Sequence, residues 1–172
     1  MSDTHNSECQ AQYVTGRNLD IMMKGDATHE RAGWREIVAL PDFGIARLRA
    51  KIDTGARTSA LHASDLENFE RDGQPWVRFR LICEDGVNRL CEAPRVARRM
   101  ITSSNGESQE RLIVKTTLSM GTQVFRAEFS LADRSDMLFP MLVGRTALRR
   151  RFLVDSAKSF LLPEPVCTKE TP

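Results

Sequence analysis

A two-residue period recurs along the middle of the chain. Ala46, Leu48, Ala50 and Ile52 alternate with Arg47, Arg49 and Lys51. Val77, Phe79 and Leu81 alternate with Arg78 and Arg80, and Phe125, Ala127, Phe129 and Leu131 with Arg126, Glu128 and Ser130. Successive side chains of a strand point to opposite faces, so each run is a strand with one buried face. Leu112 to Leu118 adds a β-prone run with Ile113, Val114 and two threonines. Turn residues separate the runs: Pro41-Asp42-Phe43-Gly44, Asp72-Gly73, Asp85-Gly86, Asn105-Gly106 and Met120-Gly121. Many short strands at close spacing predict an all-β sandwich or barrel. One short helix is expected over Thr146 to Arg151, before a final strand Phe152-Leu153-Val154.

The ends read differently. Residues 1–32 are polar and without sustained periodicity, apart from Ile21-Met22-Met23, and are expected to be a flexible tail. Pro163 to Pro172 holds three prolines. The reading is a body over 33–163 and a C-terminal tail over 164–172. A body of about 130 residues can bury a sizeable core but is too short for two catalytic lobes. The net charge is 25 − 23 = +2; the N-terminal tail carries 3 − 5 = −2, leaving +4 on the remainder. That near balance argues against a dedicated nucleic-acid binder. No apolar run reaches the ~18–20 residues of a membrane span. Met1 to Gln12 has no apolar signal core, so a cytoplasmic location is expected, with no membrane partner. Cys9, Cys83, Cys91 and Cys167 form no CxxC pair and are expected to be reduced, although Cys83 and Cys91 bracket a turn and could face each other across a hairpin.

Two segments carry chemistry. In Lys51-Ile52-Asp53-Thr54-Gly55-Ala56 a carboxylate ends an alternating strand and enters a turn. Taken alone, this fits an Asx-type turn in which Asp caps the backbone. In Met141-Leu142-Val143-Gly144-Arg145 an apolar run ends in Gly-Arg before the expected helix. Asp155-Ser156-Ala157 is superficially similar to the first but lacks the Gly, and reads as a turn.

Together these segments resemble the retropepsin-like aspartic peptidases. Gly33-Trp34-Arg35-Glu36, the thirteen residues Lys51 to Ala63, and Arg134-Ser135-Asp136-Met137 through Gly144-Arg145 resemble one bacterial branch in particular. Its members are often labelled "ATP-dependent zinc protease" and are associated with a ribosomal-protein glutamate ligase. The resemblance spans residues 33–163. It implies a closed all-β barrel of the acid-protease type with one short C-terminal helix. It also implies an aspartic peptidase with Asp53, Thr54 and Gly55 as its catalytic loop. Two carboxylates sharing one proton perform that chemistry. One Asp-Thr-Gly per chain then requires a homodimer with Asp53 of each copy at the axis. Thr54 would tie the two loops together and Gly55 would meet substrate backbone. Leu142, Val143, Gly144 and Arg145 would lie beside the loop. A flap is expected over Arg99 to Arg111, its tip at Thr102-Ser103-Ser104-Asn105-Gly106.

The expected substrate contacts are Ala56, Arg57, Thr58, His62, Ser103, Ser104, Asn105, Gly106 and Arg111. Viral retropepsins commonly carry Asp where this chain has Arg57, four residues after Asp53, and pair it with the later Arg. Arg57 therefore opens two readings: a structural ion pair, or a cationic cleft for acidic, glutamate-rich peptide. His62 is read either as a buried hydrogen-bonded histidine or as a substrate contact. Arg149-Arg150-Arg151 is read as a solvated helix end or as a patch for phosphate or an acidic partner. The zinc and ATP of the label find no support in the residues. There is no GxxxxGK[ST] loop and no HExxH, and the histidines are His5, His29 and His62. No metal or other cofactor is expected. The partners expected are a second copy and a peptide or protein substrate. The competing functions are a non-catalytic peptide-binding or adaptor dimer on the same fold and, behind it, a metal-dependent hydrolase.

Overall fold

The computed structural model describes residues 29–82, 88–102, 106–134 and 138–166. The expected tail up to residue 28, Cys9, Cys83, Cys167, the Asp85-Gly86 turn and the flap tip Ser103-Ser104-Asn105 lie outside the described residues.

Among the described residues, eleven strands follow in order: β1 (Glu30–Gly33), β2 (Arg35–Leu40), β3 (Ile45–Asp53), β4 (Ser59–His62), β5 (Ser64–Arg71), β6 (Gln74–Ile82), β7 (Asn88–Thr102), β8 (Ser108–Met120), β9 (Gln123–Ala132), β10 (Met141–Gly144) and β11 (Phe152–Asp155). A short α-helix, α1 (Arg145–Leu148), the one α-helix among the described residues, separates the last two strands. It is shorter than the expected Thr146 to Arg151. No helix among the described residues is long and apolar enough to cross a membrane.

The alternating runs became strands facing one core. In β6, Val77, Phe79 and Leu81 are buried while Arg80 is exposed. In β3, Leu48, Ala50 and Ile52 are buried as expected, but Ile45 replaces Ala46 on the inner face. The β2–β3 register runs Val38 to Leu48 and then Leu40 to Ile45, a one-residue irregularity. Because the side-chain period is two, that slip moves Ile45 inward and Ala46 outward.

Six strands form a ring in the order β2-β3-β10-β4-β9-β8, and β8 returns to β2 through Val38–Met120 and Ala39–Ser119. From β8 the sheet also runs outward through β7 and β6 to β5. Asp72 and Gly73 turn the β5–β6 hairpin with φ of 51° and 70°. Positive φ at both central residues suits a tight hairpin whose twist matches its strands. A separate parallel pair joins β1 to β11. Glu30–Gly33 therefore form a strand across the boundary that the sequence reading placed between tail and body at residue 33. This strand starts three residues before that boundary because β1 has the late strand β11 as its partner, which local polarity does not reveal.

Candidate active site

Strand β10 inserts between β3 and β4, and this insertion builds the site. It is parallel to β3, pairing Val143 with Ile52 and Gly144 with Asp53. It is antiparallel to β4, pairing Met141 with Leu61 and Leu142 with Ala60. Residues 54–58 cross over the end of β10 to connect its two neighbours.

Gly144 fits because the crossing loop lies against it. A Cβ there would stand 2.8 Å from the Thr58 carbonyl carbon and 3.1 Å from the Ala56 oxygen. The Gly144 amide donates to the Ser59 hydroxyl at 3.1 Å. The first turn of α1 then grips the loop. The Arg145 amide donates to the Ala56 carbonyl at 2.9 Å, and the Thr146 amide and hydroxyl donate to the Arg57 carbonyl at 3.1 and 3.0 Å. The Arg145 guanidinium donates to the carbonyls of Thr54 and Gly55 at 2.8 and 2.7 Å. Arg57 has removed the carboxylate that would pair with Arg145, and backbone oxygens take its place.

Asp53 sits half-buried at the end of β3. Its Oδ1 accepts the amides of Gly55 and Ala56, each at 3.0 Å, so the Asx-type turn is present within the site. Thr54 and Gly55 are exposed. A cleft of about 1290 Å³ opens beside the carboxylate. Of the expected residues, Asp53, Gly55, Ala56, Arg57, Thr58, Arg111 and Leu142 line it. Val143 and Gly144 are buried beneath it. The expected flap is the β7–β8 hairpin, with Arg99 opposite Arg111 and Thr102 opposite Ser108. Arg99 to Thr102 line the cleft, and Gly106 turns the hairpin at φ 86°.

His62 does not reach the cleft. It is 4% exposed, and its Nδ1 accepts the Arg134 amide at 2.8 Å. Of its two readings, the structure has the buried hydrogen-bonded histidine and not the substrate contact. Asp155-Ser156-Ala157 is the turn it was read to be, with Asp155 Oδ1 accepting the Ala157 amide at 3.1 Å.

The sequence reading missed part of the wall. Lys51, Lys115, Arg126, Glu128, Ser130 and Arg134 also line the cleft. Arg126, Glu128 and Ser130 are the polar face of alternating β9. That face has the same pattern whether it meets bulk water or a cleft. Seven Lys and Arg side chains line the site against the two carboxylates Asp53 and Glu128. Arg99 is neutralised by Glu128 at 2.7 Å, and Arg126 by Asp42 at 2.9 Å. Burial pushes the Arg134 guanidinium below its ordinary range; the like charge of Arg111 adds to this and Asp53 opposes it. Among the described residues no group of three or more His, Cys, Asp and Glu is arranged to hold a metal ion.

Residues 31–165 match the RimB-like family, described as "Retropepsin-like aspartic endopeptidase RimB". A "Probable alpha-L-glutamate ligase" of Shewanella pealeana is 38% identical over 135 residues, covering 77% of this chain and 30% of the relative. A protein of the same description from Desulfotalea psychrophila is 35% identical over 146 residues, covering 83% of this chain and 31% of the relative. The chain thus spans less than a third of the length of these relatives. The crystal structure of Lpg0085 from Legionella pneumophila, a protein of unknown function, superposes with a TM-score of 0.68 at 29% identity, covering 77% of this chain and 97% of that one. With an Asp-Thr-Gly loop laid over an inserted Met-Leu-Val-Gly strand, and a family match over residues 31–165, the chain belongs to the RimB-like family of retropepsin-like proteins.

Proposed function

We propose that the protein is an aspartic peptidase that acts as a homodimer on acidic or glutamate-tailed protein chains. The observation that carries this reading is the Asp53 carboxylate, held by two backbone amides at the mouth of an open cleft with a cationic wall. Exposed Thr54 and Gly55 leave the loop free to meet a second copy, whose Asp53 would complete the dyad. The dyad holds one proton. Its ionised carboxylate takes a proton from water as the oxygen attacks the scissile carbonyl carbon. Its protonated carboxyl donates to the carbonyl oxygen. Collapse of the tetrahedral diol returns a proton to the leaving nitrogen as the C–N bond breaks. The proton belongs to the pair, not to either Asp.

The names of the relatives support an acidic substrate, because a domain carried within a glutamate ligase would meet glutamate-bearing chains. Those names also favour a second reading, a non-catalytic module that binds such chains. Turnover separates the two. Wild type and Asp53→Asn are incubated with glutamate-tailed and unrelated peptides and the products read by mass spectrometry. Cleavage of the glutamate-tailed peptide by wild type alone is the expected result. Equal cleavage by both proteins would remove Asp53 from the chemistry, and binding without cleavage would favour the module.

A further inference from the structure

Of the five arginines that line the cleft, Arg57 is exposed, and two of the remaining four stand apart. Arg99 and Arg126 have carboxylate partners. Arg111 and Arg134 form no ion pair with any described residue, although both line the cleft and Arg134 feels the charges of Arg111 and Asp53. The Nε of Arg111 is buried with no hydrogen-bond partner among the described residues. The Nε of Arg134 has only a long 3.4 Å contact to the Phe139 carbonyl. Two like charges, partly withdrawn from water and with no ion-pair partner among the described residues, are a costly arrangement for a folded protein to keep. It becomes favourable when a ligand supplies the missing charge, because a guanidinium fork matches a carboxylate in shape as well as sign.

The backbone below this pair is fixed. Arg111 lies on β8, paired to Arg99 of β7. Arg134 follows β9, and its amide is held by buried His62, whose own amide donates to the Pro140 carbonyl at 2.7 Å. His62 is thus a positioning residue for Arg134. The two guanidiniums are presented by separate elements, so a single bound carboxylate can bridge the flap hairpin to the body.

We propose that Arg111 and Arg134 form the specificity subsite of the cleft, a two-guanidinium clamp that takes a substrate side-chain carboxylate beside Asp53. This rests on the reading of the cleft as a peptide site, but not on turnover. Glutamate and glutamine side chains are nearly isosteric, so comparing them isolates the charge.

The test uses the full chain carrying Asp53→Asn, so that peptide is not consumed. Binding of a fluorescent glutamate-containing peptide and its glutamine counterpart is followed by anisotropy at low salt. The glutamate peptide is expected to bind at least about tenfold more tightly. Arg111→Met and Arg134→Met should each reduce that ratio, and together they should bring it within about twofold of unity while glutamine-peptide affinity stays constant. A ratio unchanged in the double variant, or no preference in the parent, would overturn the clamp. Should the double variant not fold, thermal shifts of the Asp53→Asn parent decide: the glutamate peptide must raise Tm more than the glutamine peptide does. No turnover by wild type, with the binding ratio of the Asp53→Asn protein as expected, would sink the peptidase and spare the clamp. Equal loss of glutamate and glutamine cleavage in the double variant would do the reverse.

Discussion

Asp53 accepts both turn amides on one oxygen, which separates its structural role from the chemical one proposed for it. Asn keeps that acceptor and Ala does not. Asp53→Asn is expected to unfold in urea within about 0.5 kcal/mol of wild type, and Asp53→Ala to lose about 1–2 kcal/mol. Glu36 is the stronger structural carboxylate. It is 1% exposed and accepts the amides of Gly33, Leu161 and Leu162 at 2.6, 2.9 and 3.3 Å, fastening the C-terminal segment to β2. Glu36→Ala leaves one buried and two partly buried donors unpaired and should cost about 2–4 kcal/mol by urea denaturation. Glu36→Gln should fall between, because its amide nitrogen can turn toward the Leu162 donor but cannot accept from it. Glu36 stood in the Gly-Trp-Arg-Glu segment that helped mark the family, yet nothing local told which amides it would hold. Two of the three lie 125 and 126 residues away.

At the level of elements, the inserted β10 and the crossing loop depend on a missing side chain. Gly144→Ala would drive a Cβ into the Thr58 backbone, and backbone cannot yield as a flexible side chain can. A loss of about 2 kcal/mol or more is expected, measured by urea denaturation, together with loss of the Asp53 loop geometry. The short 3-10 turn Pro41–Phe43 is tied to the sheet through Asp42. Burial raises the Asp42 pKa, but hydrogen bonds from the Thr117 amide and the Thr116 hydroxyl and the charge of Arg126 outweigh it and hold it below the ordinary range. A carboxylate with a depressed pKa adds stability that is complete above its unfolded value of about 4 and is lost as pH falls through its folded value. The stability difference between wild type and Asp42→Asn should therefore be constant near neutral pH and shrink below about pH 4. Strand identity was legible because alternation is local. The Ile45-for-Ala46 exchange was not, because it depends on register against β2.

For the whole molecule, the proposal requires a second copy. Sedimentation equilibrium should show a reversible dimer, and activity per protomer should fall on dilution below its dissociation constant. Activity per protomer that is independent of concentration down to a purely monomeric sample would exclude a dyad shared across an axis. Ring closure also belongs to this scale. Only two residue pairs, Val38–Met120 and Ala39–Ser119, join β2 to β8, and they bring together strands some 80 residues apart in sequence.

The sequence by itself determined an all-β body, those turns between its strands that lie among the described residues, the Asp53 loop and the family. Each of these is written in neighbouring residues: a period of two, a glycine in a turn, a contiguous motif. Tertiary structure decided which polar faces became cleft wall, that His62 is buried, that Arg145 holds carbonyls in place of a carboxylate, and that Arg111 and Arg134 line one cleft. Those outcomes depend on which distant strands become neighbours. A hydrophobic pattern states that one face is buried, but it does not state what the other face will meet.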